Sequence, residues 1–308
     1  MSPSDVTSST GSGLRRGVSA LLRLLPAAAP AWIYTVVLRP RPLRALANRL
    51  LKTLIPPTMT LPEGTLLLNQ QDPVVSGALA LGVYEPGSLA VWRRLLVRPD
   101  MTVLDIGGNI GLYSLIAAHH CPGGQVIAFE PEARNARILE AMAMTNGFNH
   151  LQVINAGAGA VTGDATLYLD ADNKGKHSLV RGGANQRVTT IALVTVDEVV
   201  AERGLDRVHA VKIDVEGWED QVLLGMADVL ARDHPALLFE FAPVRIRLAG
   251  DDPAHMLKRL IDLGYVVSEL DEADGSQRPI GDLEGFLTLF THRDAYRNLL
   301  AVWPEARV

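Results

Sequence analysis

Asp105, Gly107, Asn109, Gly111 and Glu130 are the residues of this chain whose types and spacing most directly suggest chemistry. They lie in VLDIGGNIG (103–111) and VIAFEP (126–131), with Glu130 nineteen residues after Gly111. An apolar strand ending on an acid, a glycine turn opening a helix, and a second strand ending on an acid together suit a nucleotide-type cofactor. Gly107, Gly108 and Gly111 let the backbone bend sharply and come close to a ligand, and the helix N-terminus offers unpaired N–H groups to an anionic group. Glu130 stands where a carboxylate accepts hydrogen bonds from both ribose hydroxyls. The pattern is D-x-G-G-N-x-G rather than the G-x-G-x-x-G of dinucleotide sites. Asp105, two residues before the first glycine, suits an amino group better than a phosphate. A strand-to-helix turn with no ligand is the plain alternative, and dinucleotide binding is a second.

A further set of acids follows in VKIDVEGWE (211–219) and LLFEFAP (237–243). The first delivers Asp214 and Glu216 to the carboxyl edge of a buried strand, and the second ends its strand on Glu240. Three carboxylates on neighbouring strands can support proton transfer or hold a divalent cation. The competing reading makes Glu216 and Glu219 first-turn acids that suit a helix dipole, and Glu240 a loop cap. Glu85 in GVYEP and His177 in KGKHSL each read either as cleft residues or as surface loop residues.

Such residues need a frame that brings strand ends together. Strand-like runs fall at 102–106, 125–130, 151–154, 208–214, 236–241, 265–270 and 286–290, with helical patterns at 112–119, 132–146, 219–232 and 252–263. This alternation predicts an α/β, doubly wound, mostly parallel seven-stranded sheet, covered on both faces, with ligands at the carboxyl ends of its strands. LYL and VTTIALVTV between 165 and 196 predict a hairpin inserted before the fourth sheet strand.

Composition sets the limits. The chain has 308 residues, is 48% hydrophobic and carries a formal charge of −5, with no basic excess to draw nucleic acid. Cys121 is the only cysteine, so neither an internal disulfide nor a thiolate zinc cluster can form, which fits a reducing compartment. Residues 1–60 differ from the rest: between Val6 and Pro62 there is no acid, while Arg15, Arg16, Arg23, Arg39, Arg41, Arg44, Arg49 and Lys52 are spread among leucines and alanines. Leu24 to Leu38 is interrupted by Pro26 and Pro30 and falls short of the roughly twenty apolar residues a membrane span needs. This basic amphipathic extension reads as a helical cap, as a homodimer contact, or as a peripheral contact with an anionic membrane, after a disordered start over residues 1–13.

The order VLDIGGNIGLYSL, VIAFEPEARNARILE, NAGAG, GKHSL and VKIDVEGWEDQVLLGM resembles the FkbM family of class I S-adenosylmethionine-dependent methyltransferases over about residues 73–242. IDVEG, from Ile213 to Gly217, carries most of that resemblance. It implies a Rossmann-like catalytic domain over 99–308 with an antiparallel last strand, a lead-in segment over 61–98 that covers the cofactor cleft, and S-adenosylmethionine as methyl donor. The family's donor-site pattern falls on Asp105, Gly107, Asn109, Gly111 and Glu130. Glu85, Asn155 of NAGAG and Asp214 are placed with them. Activity is expected to be O-methylation of a hydroxyl on a sugar, glycan or natural product, in the cytoplasm where the donor is made, or at the inner membrane face. An alkyl hydroxyl is a weak acid, so a base is expected: Asp214 or Glu216, with His177 next. Asp214 and Glu240 could hold magnesium, but no dense acidic loop is present and a metal-free site is favoured. The rivals are a nicotinamide-dependent oxidoreductase, which would lack its glycine spacing here, and a non-catalytic scaffold, which would need a damaged donor site.

Overall fold

The computed structural model describes residues 55–72, 75–82, 84–169, 177–180, 187–292 and 295–304, with positions 47, 49, 52 and 53. Most of the basic extension, and with it the choice among cap, dimer contact and membrane helix, lies outside these residues. The described chain begins with a hairpin, β1 (Thr58–Leu61) and β2 (Gly64–Leu67), and two helices, α1 (Val75–Leu81) and α2 (Pro86–Leu95). Strands and helices then alternate: β3 (Thr102–Ile106), α3 (Leu112–His120), β4 (Gln125–Phe129), α4 (Ala133–Asn146) and β5 (Leu151–Ile154). β6 (Gly157–Ala158), β7 (Gly163–Leu169) and β8 (Arg187–Val194) form a separate small sheet. After it come α5 (Val196–Glu202), β9 (Ala210–Ile213), α6 (Glu219–Leu224), α7 (Ala227–Asp233), β10 (Ala236–Phe241), α8 (Pro243–Ala249) and α9 (Pro253–Asp262). β11 (Val266–Leu270), β12 (Gln277–Pro279), α10 (Leu283–Leu287) and β13 (Arg297–Val302) complete it.

The main sheet runs β12-β11-β13-β10-β9-β3-β4-β5. Its five central and right-hand strands, β10 to β5, are mutually parallel, and β13 enters antiparallel between β10 and β11. This is the expected doubly wound sheet with an antiparallel last strand, extended by β12, a short eighth strand on the edge. The expected hairpin is present as β7 against β8, and it pairs with β6 instead of joining the main sheet. Among the described residues no helix is long and apolar enough to cross a membrane.

Two local predictions need correction. Residues 286–290 do not form the last strand. Asp282 accepts the Gly285 N–H at 3.0 Å and starts α10, and the four-residue spacing of Phe286 and Phe290 puts both rings on Phe241. The strand that pairs with β10 is instead RNLLAV, whose centre is buried. The helix expected over 219–232 is two helices, because Gly225 abuts the backbone of Gly159, where an added Cβ would lie 1.9 Å from the carbonyl oxygen.

Strand alternation sorts the core onto the two faces of the sheet. Ile106, Phe129, Ile213 and Phe239 pack beneath α5 to α10, while Val103, Ala128, Ala210 and Leu238 pack beneath α1 to α4. On the second face the apolar series is broken by Asp105 and Lys212 at one level and by Glu240 two residues further along β10, all buried. Asp105 is the register partner of Lys212, and Lys212 that of Leu238, two residues before Glu240. Charges therefore converge at the carboxyl ends of β3, β9 and β10.

Candidate active site

The turn after β3 is held by backbone contacts on both sides. The N–H groups of Gly107 and Gly108 both donate to the Phe129 carbonyl, at 2.9 and 3.0 Å. Gly107 has φ +85, and an added Cβ would lie 1.9 Å from the carbonyl oxygen of Asp214. No other residue fits between β9 and the turn. Asp105 accepts the Ser114 hydroxyl at 2.5 Å, and burial pushes its carboxyl up to about 6, with that hydroxyl and Lys212 opposing. Glu130 accepts the Asn109 N–H on one oxygen and the Glu132 N–H on the other, both at 2.8 Å. Burial pushes Glu130 up to about 7 against those two donors.

Across the cleft, β9 ends on Asp214 and a tight turn follows. Glu219, completely buried, accepts the N–H groups of Gly217 at 3.1 Å and Val215 at 3.4 Å. That arrangement holds Glu216 at φ +56 and Gly217 at φ +102. Gly217 also lets α8 come close, since a Cβ there would lie 2.6 Å from Cβ of Arg245. Burial pushes Glu219 up to about 7, with its backbone donors opposing. It is the organiser of the turn, a role beyond the dipole-suited acid expected from the sequence.

Lys212 is 1% exposed, and a buried ammonium without partners would cost several kcal/mol. Its Nζ lies 3.4 Å from Asp214 Oδ2, donates to the Ile213 carbonyl at 3.3 Å, and sits 5.0 Å from the centre of the Tyr113 ring. Burial works to lower its pKa, but the carboxylates of Asp214, Glu85, Glu240 and Asp105 outweigh it and leave Lys212 raised and charged. Tyr113 in turn donates its hydroxyl to Glu85 at 2.8 Å. Burial pushes Glu85 up to about 7, with Lys212 opposing and Asp214 adding to the rise. Glu85 is held at φ +39 as the N-cap of α2, whose first N–H groups, Gly87 and Ser88, donate to Glu272 at 3.1 Å.

One cleft is lined by Glu85, Asp105, Gly107, Asn109, Glu130, His177, Asp214 and Glu216, together with Lys212, Glu240, Arg245 and Tyr296. Eight residues expected from the sequence thus meet in one place. Gly111 and Asn155 do not line it. Gly111 packs beneath the turn on Leu139 and Met142, and Asn155 donates to the backbone carbonyls of Glu130 and Pro131. Both support the turn after β3 and Glu130 from behind. Among the described residues, four non-glycine positions have positive φ, and three of them, Glu85, Asn109 and Glu216, line this cleft. Such conformations cost about 1–3 kcal/mol each and concentrate where geometry serves function.

Sequence reasoning missed Lys212, Tyr113 and Arg245. A lysine inside the apolar run AVKI was a readable signal, because a buried strand tolerates an ammonium only beside acids. Arg245 in PVRIRL carried no comparable mark. It bonds both Glu216 and Glu240, the latter at 3.0 Å. Burial and the carboxylates of Asp214, Glu219 and Glu85 push Glu240 up, and the adjacent guanidinium favours its charged form. Asp214, Glu216 and Glu240 each offer an oxygen within 4.8 Å of the others. By distance alone they could hold a metal ion.

The methyltransferase FkbM domain matches residues 105–267, more than half of the chain. The 31-O-demethyl-FK506 methyltransferase FkbM of Streptomyces tacrolimicus is 30% identical over 165 residues, which cover 43% of this chain and 62% of that protein. The AMB antimetabolite synthetase AmbE of Pseudomonas aeruginosa is 32% identical over 170 residues, 44% of this chain and 8% of that protein. The chain thus spans less than two thirds of the length of either relative. A solved methyltransferase FkbM from Methylobacillus flagellatus KT aligns with 87% of this chain and 60% of its own, at 15% identity and a TM-score of 0.43.

Proposed function

Because this chain belongs to the FkbM methyltransferase family, we propose that it moves a methyl group from S-adenosylmethionine to a hydroxyl oxygen of a small-molecule or glycan acceptor. The observation that carries this reading is the pairing of two walls in one cleft: a glycine turn closed by Glu130, and an acid, Asp214, at the end of β9. The turn fits the donor. Its glycines let the turn pack directly on the Asp214 carbonyl and on Leu139 and Met142, and the oxygens of Glu130 are positioned by backbone N–H groups.

S-adenosylmethionine, when bound, supplies a methyl group already activated on a sulfonium. The protein's task is then to align an oxygen behind that methyl and accept its proton. Alignment is the larger contribution, on the order of 7–11 kcal/mol, against 10²–10⁴-fold for a general base. Glu130 would bind the ribose hydroxyls, and Asp105, on the same wall, would orient the remainder of the donor. Asp214 accepts the proton from the acceptor. Glu216, the other acid considered for that role, is engaged by Arg245, which favours Asp214. His177, also on the wall, is the second candidate. The Streptomyces tacrolimicus relative is by name a 31-O-demethyl-FK506 methyltransferase, which supports oxygen as the methylated atom.

Calorimetric titration with S-adenosylhomocysteine and, separately, with NAD tests the donor. Binding of the first alone is expected, and binding of NAD alone would overturn the reading. Mass spectrometry of candidate sugars and natural products incubated with donor and protein should find a gain of one methyl on oxygen.

A further inference from the structure

We infer that Arg245 is a built-in counter-cation for the acid triad Asp214, Glu216 and Glu240, standing where a divalent ion would otherwise sit. The inference goes beyond the proposed methyl transfer and rests on it only for the activity measurements below.

The triad has the composition and spacing of a magnesium or manganese site, with all three oxygens within 4.8 Å of one another. Two of its three members are already bonded to one nitrogen, Nη1 of Arg245. Arg245 is 6% exposed. It is fixed by the fold: α8 begins at Pro243 directly after β10, and Gly217 admits the Arg245 Cβ against the β9 turn. The third member, Asp214, has its own cation in Lys212. Two buried side-chain cations therefore neutralise much of the charge of three carboxylates. A divalent ion entering the triad would have to displace the guanidinium from both glutamates while remaining beside it, which like-charge repulsion opposes.

The arrangement also divides the labour among the acids. Arg245 orients Glu216 and Glu240, so it is a positioning residue for this side of the cleft, and Asp214 is left with Lys212 as its partner. Arginine suits this task because it stays charged when buried.

Manganese binding to the full-length chain, read by electron paramagnetic resonance, tests this without any acceptor. The wild-type protein should bind no stoichiometric Mn²⁺ in the cleft, and its activity should survive exhaustive EDTA. Arg245→Gln should gain one Mn²⁺ site, and Glu240→Gln in that background should remove it. Arg245→Lys, which keeps the charge, should gain none. With the donor and acceptor in hand, Arg245→Gln should lower kcat about 10²-fold with little change in donor affinity, and Mn²⁺ should restore part of the loss, which loss of packing alone would not allow. Stoichiometric Mn²⁺ binding by the wild type that Asp214→Asn abolishes, or a folded Arg245→Gln that gains no site, would overturn the inference. If Arg245→Gln does not fold, the wild-type and Arg245→Lys measurements decide it. Failure of S-adenosylhomocysteine to bind the wild type would count against methyl transfer and leave the manganese result standing.

Discussion

The two walls of the cleft are built on different principles. The wall proposed to seat the donor, from Asp105 to Gly111 with Glu130, is a contiguous turn closed on the next strand. Its shape comes from backbone: amides of Gly107 and Gly108 on the Phe129 carbonyl, and the Asn109 amide on Glu130. The wall proposed to face the acceptor is assembled from side chains far apart in sequence, with Glu85, Tyr113, Lys212, Asp214, Glu216, Glu240 and Arg245 in contact through ion pairs, hydrogen bonds and the Lys212–Tyr113 ring contact. A wall made of backbone tolerates few sequences, whereas a wall made of side chains can be rewired one residue at a time.

The sharpest way to break this contrast is Gly107→Ala. The new methyl would meet the Asp214 carbonyl at 1.9 Å in a backbone with φ +85, so donor binding should disappear in a calorimetric titration. Thermal unfolding should show a loss of roughly 1–3 kcal/mol. Retention of near-normal donor affinity would mean that the turn is not the donor's seat. Next in size, Asp214→Asn should slow turnover about 10²–10⁴-fold while S-adenosylhomocysteine still binds. Such a split between rate and donor affinity is what two separately built walls should give.

Glu130→Gln should weaken donor binding about 10–100-fold, in keeping with a hydrogen bond to a charged acceptor. It should also change the pH dependence. Burial has raised Glu130 from 4.5 to about 7, and ribose hydroxyls donate to the ionised form, so donor affinity should rise from pH 6 to pH 8 and then level off. The same raised value means that, for this group, the unliganded fold is favoured below pH 4.5 and that contribution is lost as pH rises through 7. In Glu130→Gln the part of both slopes due to this residue should vanish in parallel titrations and melts. The smallest change sharpens the other wall. Ser178→Ala removes a 2.8 Å hydrogen bond to the Glu216 carbonyl, worth about 1 kcal/mol. It should raise KM for the acceptor about fivefold and leave donor affinity unchanged.

The contrast also explains what could be read in advance. β3, β4, β9 and β10 were legible because strands buried on both faces are continuous apolar runs, and the donor turn was legible because its glycines occur at fixed spacing. Phe286 and Phe290 misled because a short apolar segment suits either period, and the Asp282 cap that decides for helix is a local signal easily passed over. On the acceptor wall Asp214 and Glu216 stood out in IDVEG, but their partners did not. Whether Glu216 meets solvent or a guanidinium depends on how α8 lies against the β9 turn, a tertiary fact with no imprint on the spacing of either segment. Lys212 was the exception, legible as a charge out of place.

The small sheet of β6, β7 and β8 is attached to the larger one by very little chain: β5 ends at Ile154 and β6 begins at Gly157. Among the described residues its own buried apolar centre is Leu167, Ile191 and Leu193, and Leu167, His177, Ser178 and Leu179 all border the cleft. The small sheet is nonetheless keyed into the main core, with Ala158 buried in it and Val194 packed against it, while its outer hairpin of β7 and β8 reaches over the rim of the cleft. A change of side chain on that hairpin would therefore alter the border of the cleft without touching the turn between β3 and α3.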